Sequence, residues 1–184
     1  MPIKHALAAV VAGLGLALGG CGDDADSESS NQPDFNAADI TFAQEMIPHH
    51  QQAVMMATIA AERAKDPAVA TLATEIQDAQ APEIETLQAW LRDWDAEVSH
   101  EMGEMGHNMP GMMSEHELAS LNAASGQAFD RTFLRLIIEH HEGAIAMAQT
   151  EQAEGANPDA IALAKDIAAA QSDEIEDMQS MLNR

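Results

Sequence analysis

The stretch Phe42-Ala43-Gln44-Glu45-Met46-Ile47-Pro48-His49-His50-Gln51-Gln52-Ala53-Val54-Met55-Met56-Ala57 returns 91 residues later as Phe133-Leu134-Arg135-Leu136-Ile137-Ile138-Glu139-His140-His141-Glu142-Gly143-Ala144-Ile145-Ala146-Met147-Ala148. The same shift superimposes 37–91 on 128–182 without a gap, and about 21 of the 55 paired positions are identical. The chain therefore carries two copies of one unit. In the first copy Phe42, Met46, His49, Ala53, Met56 and Ala60 step by four and three, the apolar seam of a helix packed in a bundle. The second copy runs Phe133, Ile137, His140, Ala144, Met147. Each unit continues into a second helix. These open with Pro67 behind Asp66 and Pro158 behind Asn157, a first-turn proline after a capping side chain. Their seams include Leu72, Ile76, Ile84, Leu87 and Leu91, then Leu163, Ile167, Ile175, Met178 and Leu182.

The spacing predicts long helices over 36–65, 67–96, 126–154 and 158–182, with a short one opening at Ser114-Glu115-His116-Glu117, a capping-box pattern. No segment alternates as a strand does. The expected fold is all-α: a four-helix bundle made of two repeated helical hairpins, with a connecting loop and a short extra helix between them. Pro48 and Pro82 fall inside helices of the first unit and are expected to kink them or leave carbonyls unpaired; Glu139 and Asp173 hold those places in the second.

Outside the units the chain changes character. Lys4 and His5 precede an apolar run from Ala6 to Leu18, too short for the ~20 residues of a bilayer span but fitting the core of a secretory signal. It ends in Leu18-Gly19-Gly20-Cys21, a pattern similar to a bacterial lipoprotein signal, in which 1–20 is removed and Cys21 carries the lipid. From there to Pro33 the residues are polar and acidic and read as a tether, so the folded part is expected over 34–184. The expected location is the bacterial cell envelope, facing the periplasm or exterior, with the membrane as a partner through the N-terminal anchor. Among 184 residues stand 31 Asp and Glu against 8 Lys and Arg, for a formal charge of −23. Such a charge repels phosphate backbones, so nucleic acid is excluded as a partner and cations are favoured. A lone cysteine excludes a disulfide framework and a thiolate zinc site. Chemistry must rest on His, Met and carboxylates.

Two sets of such residues stand out. In an antiparallel hairpin turning near residue 66, facing positions sum to about 132, which places His49 opposite Glu83 and His140 opposite Glu174. Gln80 and Gln171 sit about a turn away. Imidazole and carboxylate projecting inward at one level can hold a metal ion, with Met46, Met56 and Met147 as neighbouring thioethers. The same groups could equally be core histidines bonded to carboxylates that fix the register. His50 and His141 turn about 100° from the seam, as second ligands, interface residues or solvated groups. The other set lies between the units, in 99–116: His100, Met102, Met105, His107, Met109, Met112, Met113 and His116. Gly103, Gly106, Pro110 and Gly111 oppose a helix there, so these methionines are not a core stripe. Flexible thioethers and imidazoles suit a soft ion, above all Cu(I), and thioethers work where thiols would be oxidised. A hinge whose methionines merely lie against the bundle is the plainer alternative.

No Glu-x-x-His pair of the di-iron type occurs, since Glu45 stands four residues before His49 and its counterpart is Leu136. No hydrolytic triad is recognisable and no catalytic residue is assigned. Phe42-x-x-x-Met46-Ile47-x-His49-His50-x-x-Ala53-x-x-Met56-Ala57 resembles the first signature of the domain-of-unknown-function family 305 (DUF305). Phe129-Asp130-Arg131-x-Phe133 with Ile138-x-His140-His141-Glu142-Gly143-Ala144-Ile145-x-Met147-Ala148 resembles its second, and Gly111–Ser114 also matches. Ile137 stands where that signature often has Met. The resemblance implies a secreted or membrane-tethered ferritin-like bundle, and some members of the family are implicated in copper binding and resistance. The expected function is envelope copper binding, as Cu(I), for buffering, storage or delivery without catalysis; another divalent metal is the lesser candidate. A second copy of the chain or an envelope copper-handling protein are the candidate protein partners. The rival readings are a ferritin-like metalloenzyme at the histidine level and a metal-free adaptor lipoprotein.

Overall fold

The computed structural model describes residues 34–98 and 109–184. Five helices follow one another: α1 Ala37–Arg63, α2 Pro67–Asp93, α3 Glu115–Ala123, α4 Gly126–Glu154 and α5 Pro158–Leu182. The fold is all-helical. The four long helices form the bundle: α1 packs on α2, α4 packs on α5, and α1 against α4 joins the two hairpins, while the short α3 lies on α4. Among the described residues, no helix is long and apolar enough to cross a membrane.

The helix starts follow from side chains that satisfy free N–H groups. Asn36 accepts from Ala38 and Asp39 while Asp39 accepts from the Asn36 N–H, and Ser114 and Glu117 form the same reciprocal box at α3. Asp66 and Asn157 cap α2 and α5 ahead of their first-turn prolines. The second helix stops three residues earlier than its periodicity predicts. There the Ala96 N–H reaches the Leu91 carbonyl and the Asp95 N–H that of Arg92, with Asp95 at φ 51°, a Schellman turn made without glycine. Both interior prolines are accommodated: α1 continues through Pro48 and α2 through Pro82 as unbroken helices.

Two apolar clusters fill the bundle. One gathers Met56, Ala60, Leu72, Ile76, Leu121, Phe129, Phe133 and Ile137; the other gathers Phe42, Met46, Leu87, Leu91, Ala148 and Ile167. In α1 and in α4 the His-His pair lies between the stretches that feed the two clusters, so the histidines occupy a polar layer within an apolar bundle.

Polar clamps join one unit to the other. The Asp39 carboxylate accepts from the Ala156 and Asn157 N–H groups at the α4–α5 turn, and the Asp130 carboxylate accepts from Lys65 and Asp66 at the α1–α2 turn. Each donor in one clamp lies 91 residues from its counterpart in the other. Hydrogen bonds to a charged acceptor are worth ~1.5–3 kcal/mol each, so these clamps set how the hairpins meet.

Candidate metal-binding layer

His49, His50, His140 and His141 are all fully buried. Hairpin arithmetic misses their partners by one residue. It is His50 Nε2 that meets Glu83 at 2.7 Å and His141 Nε2 that meets Glu174 at 2.6 Å, in place of the expected His49 and His140. Residues Ala64–Asp66 lie outside both helices, and a register moved by one position turns the facing side chain by about 100°. The solvated alternative for His50 and His141 is thereby excluded. Glu83 and Glu174 each place one oxygen on an imidazole rather than standing free.

His49 and His140, 91 residues apart, lie ring against ring in a tilted arrangement, with centroids 3.7 Å apart and planes at 39°. His49 Nε2 donates to the Pro110 carbonyl at 3.0 Å; a carbonyl only accepts, so that nitrogen carries the proton and Nδ1 holds the lone pair. In His50 and His141 it is Nε2 that gives its proton to a carboxylate, which leaves Nδ1 as the nitrogen that the carboxylate does not engage. These three Nδ1 atoms, and both nitrogens of His140, are buried with no hydrogen-bond partner among the described residues. Gln80 and Gln171 add unpartnered amide oxygens in the core. Burial, reinforced by the charge of neighbouring imidazoles, pushes His49 down to about 3 and holds His140 well below the ordinary histidine value. Neutral imidazole is the metal-binding form. A carboxylate on the far nitrogen is the usual outer support of a metal-bound histidine, and it occurs here twice.

The connecting segment is fastened over this layer. Pro110 is held by His49, and Gly111, at φ 74°, rests on Gly143 of α4; a β-carbon on either glycine would overlap the opposing backbone. The Gln52 side-chain amide then grips Met113 twice, accepting from its N–H at 2.8 Å and donating to its carbonyl at 3.0 Å. Gln52 and Gly143 occupy equivalent places in the two units. The segment thus crosses from α4 to α1 beside the paired imidazoles of His49 and His140.

The candidate ligands are distributed accordingly. Met46, Met56 and Met113 are buried in the core, Met147 is 8% exposed, and Met109 and Met112 are half-buried. His116 is exposed in the first turn of α3. His100, Met102, Met105, His107 and Cys21 lie outside the described residues. Among the described residues no three His, Cys, Asp or Glu side chains converge as a ready-made metal site. Sequence reasoning overlooks Gln52, Gly143 and the Pro110 carbonyl. The signal was a glycine in one unit where the other has glutamine, a place where backbone must come close.

The profile of the domain of unknown function DUF305 matches residues 39–182. The chain belongs to the DUF305 family. A DUF305 fragment from Deinococcus radiodurans is 34% identical, with a TM-score of 0.75 over 83% of this chain and 99% of that one. A DUF305 protein from Streptomyces coelicolor, described as secreted, is 32% identical, with a TM-score of 0.73 over 79% and 91%. CopM in its Cu(II)-bound form is 35% identical, with a TM-score of 0.71 over 79% of this chain and 95% of that one, and CopM has also been solved with Cu(I) and with Ag bound. A comparison with curated protein sequences returns no match.

Proposed function

We propose that this DUF305 protein binds copper in the cell envelope, chiefly as Cu(I), and buffers, stores or hands on the ion without turning over a substrate. One observation carries the reading: buried imidazoles whose outer nitrogens are engaged by Pro110, Glu83 and Glu174 keep their Nδ1 atoms free beneath a segment that brings Met109, Met112 and Met113. Desolvated nitrogens without partners are costly unless something else uses them. An ion with an affinity for imidazole and thioether together fits that donor set. The likeness to CopM supports it, and the likeness to a protein described as secreted supports passage out of the cytoplasm. In this reading 1–20 is a cleaved signal, Cys21 carries the lipid, 21–33 is the tether and 34–184 the copper-binding bundle.

The histidines 49, 50, 140 and 141 receive the ion, with Met46, Met56 and Met147 around them, while His100, Met102, Met105, His107, Met109, Met112, Met113 and His116 capture it. The test is an anaerobic Cu(I) competition titration against a colorimetric chelator, with Zn(II) and Cu(II) in parallel. Selective Cu(I) binding, lost when Met102, Met105, Met109 and Met112 are replaced by Leu at unchanged helicity, is the expected outcome. Unchanged affinity in that variant defeats the capture role, and no binding of any of the three ions defeats the reading.

A further inference from the structure

The bundle has two grooves along the α1–α4 contact, related by the 91-residue shift, and they are treated differently. One is covered. There α3 places Leu118 and Leu121 in the cluster of Met56, Phe133 and Leu136, and its end is held by Arg63, whose Nη2 donates to the carbonyls of Asn122 and Ala124 at 3.1 and 2.7 Å. Among the described residues, the other is an open cavity of about 450 Å³ between the first half of α1 and the last half of α4, bounded by Pro110.

Comparing equivalent positions shows what differs. Phe42 and Met147 of the open groove match Phe133 and Met56 of the covered one, so the apolar floor is kept. Three positions change to acid: Glu45 where the covered groove has Leu136, Glu151 where it has Ala60, and Glu154 where it has Arg63. The last change reverses the chemistry. Arg63 supplies donors to helix carbonyls, whereas Glu154 needs donors brought to it. Glu151 is buried beside the Asp39 carboxylate. Glu45 is half-buried beside them. Among the described residues no Lys or Arg forms an ion pair with a carboxylate, so the chain does not neutralise this rim itself.

We propose that the open groove docks a short amphipathic helix of another protein, seating apolar side chains on Phe42 and Met147 and presenting Lys or Arg to Glu45 and Glu154. The covered groove shows the size and kind of element that fits, and the acidic rim fixes the sign of its charge. This does not depend on the copper reading. Two lactam-bridged peptides on the α3 sequence 114–124 serve as probes, one native and acidic, one with Lys replacing Glu115, Glu117 and His116, each read by fluorescence anisotropy against the chain from residue 34 onward. The cationic peptide is expected to bind at least about tenfold more tightly than the acidic one and to weaken with salt. Glu45→Gln with Glu154→Gln should cost about tenfold, and Ala146→Trp, an exposed position lining the groove, should abolish binding while circular dichroism stays unchanged. No binding of the cationic peptide, equal binding of both, or indifference to the charge variant overturns the proposal. So does a wild-type dimer in sedimentation that Ala146→Trp renders monomeric, since the occupant is then a second copy of this acidic chain.

Discussion

Single side chains in this protein do more than pack. The Glu174 carboxylate accepts from His141 Nε2 and so leaves Nδ1 as the atom that the proposed function gives to the ion. Glu174→Gln keeps the shape and removes the charge; we expect about 10–100-fold weaker Cu(I) binding at unchanged thermal stability, measured by chelator competition. Equal affinity would show that the contact holds register only. Glu151 acts at the opposite end of the polarity scale. Burial, with the Asp39 carboxylate alongside, raises it from 4.5 to about 8, while Asp39, despite burial, is held low by the N–H groups of Asn36, Asn157 and Ala156 and by the Glu151 proton. The folded protein thus keeps a proton that the unfolded chain releases, so this group's stabilisation is complete below pH 4.5 and is lost as pH rises through about 8. His49 works the other way. Folded at about 3 against 6.5 unfolded, it costs the metal-free protein stability as pH falls from 6.5 toward 3. Denaturant melts of Glu151→Gln should show the loss between pH 5 and 8 removed, because an amide can donate to Asp39 at any pH; a slope equal to wild type would contradict the assignment.

At the scale of elements, the connector is held by contacts that have no substitute. Gly143 has no room for a β-carbon beneath Pro110, and the Gln52 side chain bonds both backbone groups of Met113. Gly143→Ala should lift Pro110 and Gly111 from α4 at a cost of ~1–3 kcal/mol, with faster limited proteolysis between residues 98 and 114. Gln52→Ala should cost about as much, since it strands a buried N–H and a buried carbonyl. Both variants should weaken Cu(I) binding even though neither residue offers a ligand. If proteolysis quickens while affinity stays constant, docking of the connector is a matter of stability alone. The bundle helices should remain, because their seams lie in clusters on either side of this level.

For the whole molecule, the decisive contacts are the reciprocal clamps. Asp39 of the first hairpin ties down the turn of the second, and Asp130 of the second ties down the turn of the first. Asp130→Ala should destabilise the fold by ~2–4 kcal/mol by leaving the Lys65 and Asp66 N–H groups without their acceptor. If the hairpins are cooperative, far-UV circular dichroism and Trp90/Trp94 fluorescence will melt together in the variant as in the wild type. Separate transitions would mean that the hairpins fold independently and that the clamps only orient them.

Much of this was legible in the chain itself. Helix positions followed from the apolar period, the caps Asn36, Asp66, Ser114 and Asn157 are short-range signals, and the paired histidines announced their level because they recur at a fixed offset. Such features depend on neighbours within about one turn, which is why sequence determines them. Register across the hairpin did not follow: whether His49 or His50 meets Glu83 depends on how the turn at Ala64–Asp66 closes, and one residue there rotates the answer by about 100°. The Asp95 turn was invisible because aspartate takes the left-handed conformation only where the rest of the fold holds it there. The carbonyl of Pro110 on His49, the grip of Gln52 on Met113, and the acid left in one groove while α3 fills the other all join residues far apart in the chain. Local pattern carries no record of such meetings; only the packing of α1 against α4 decides them.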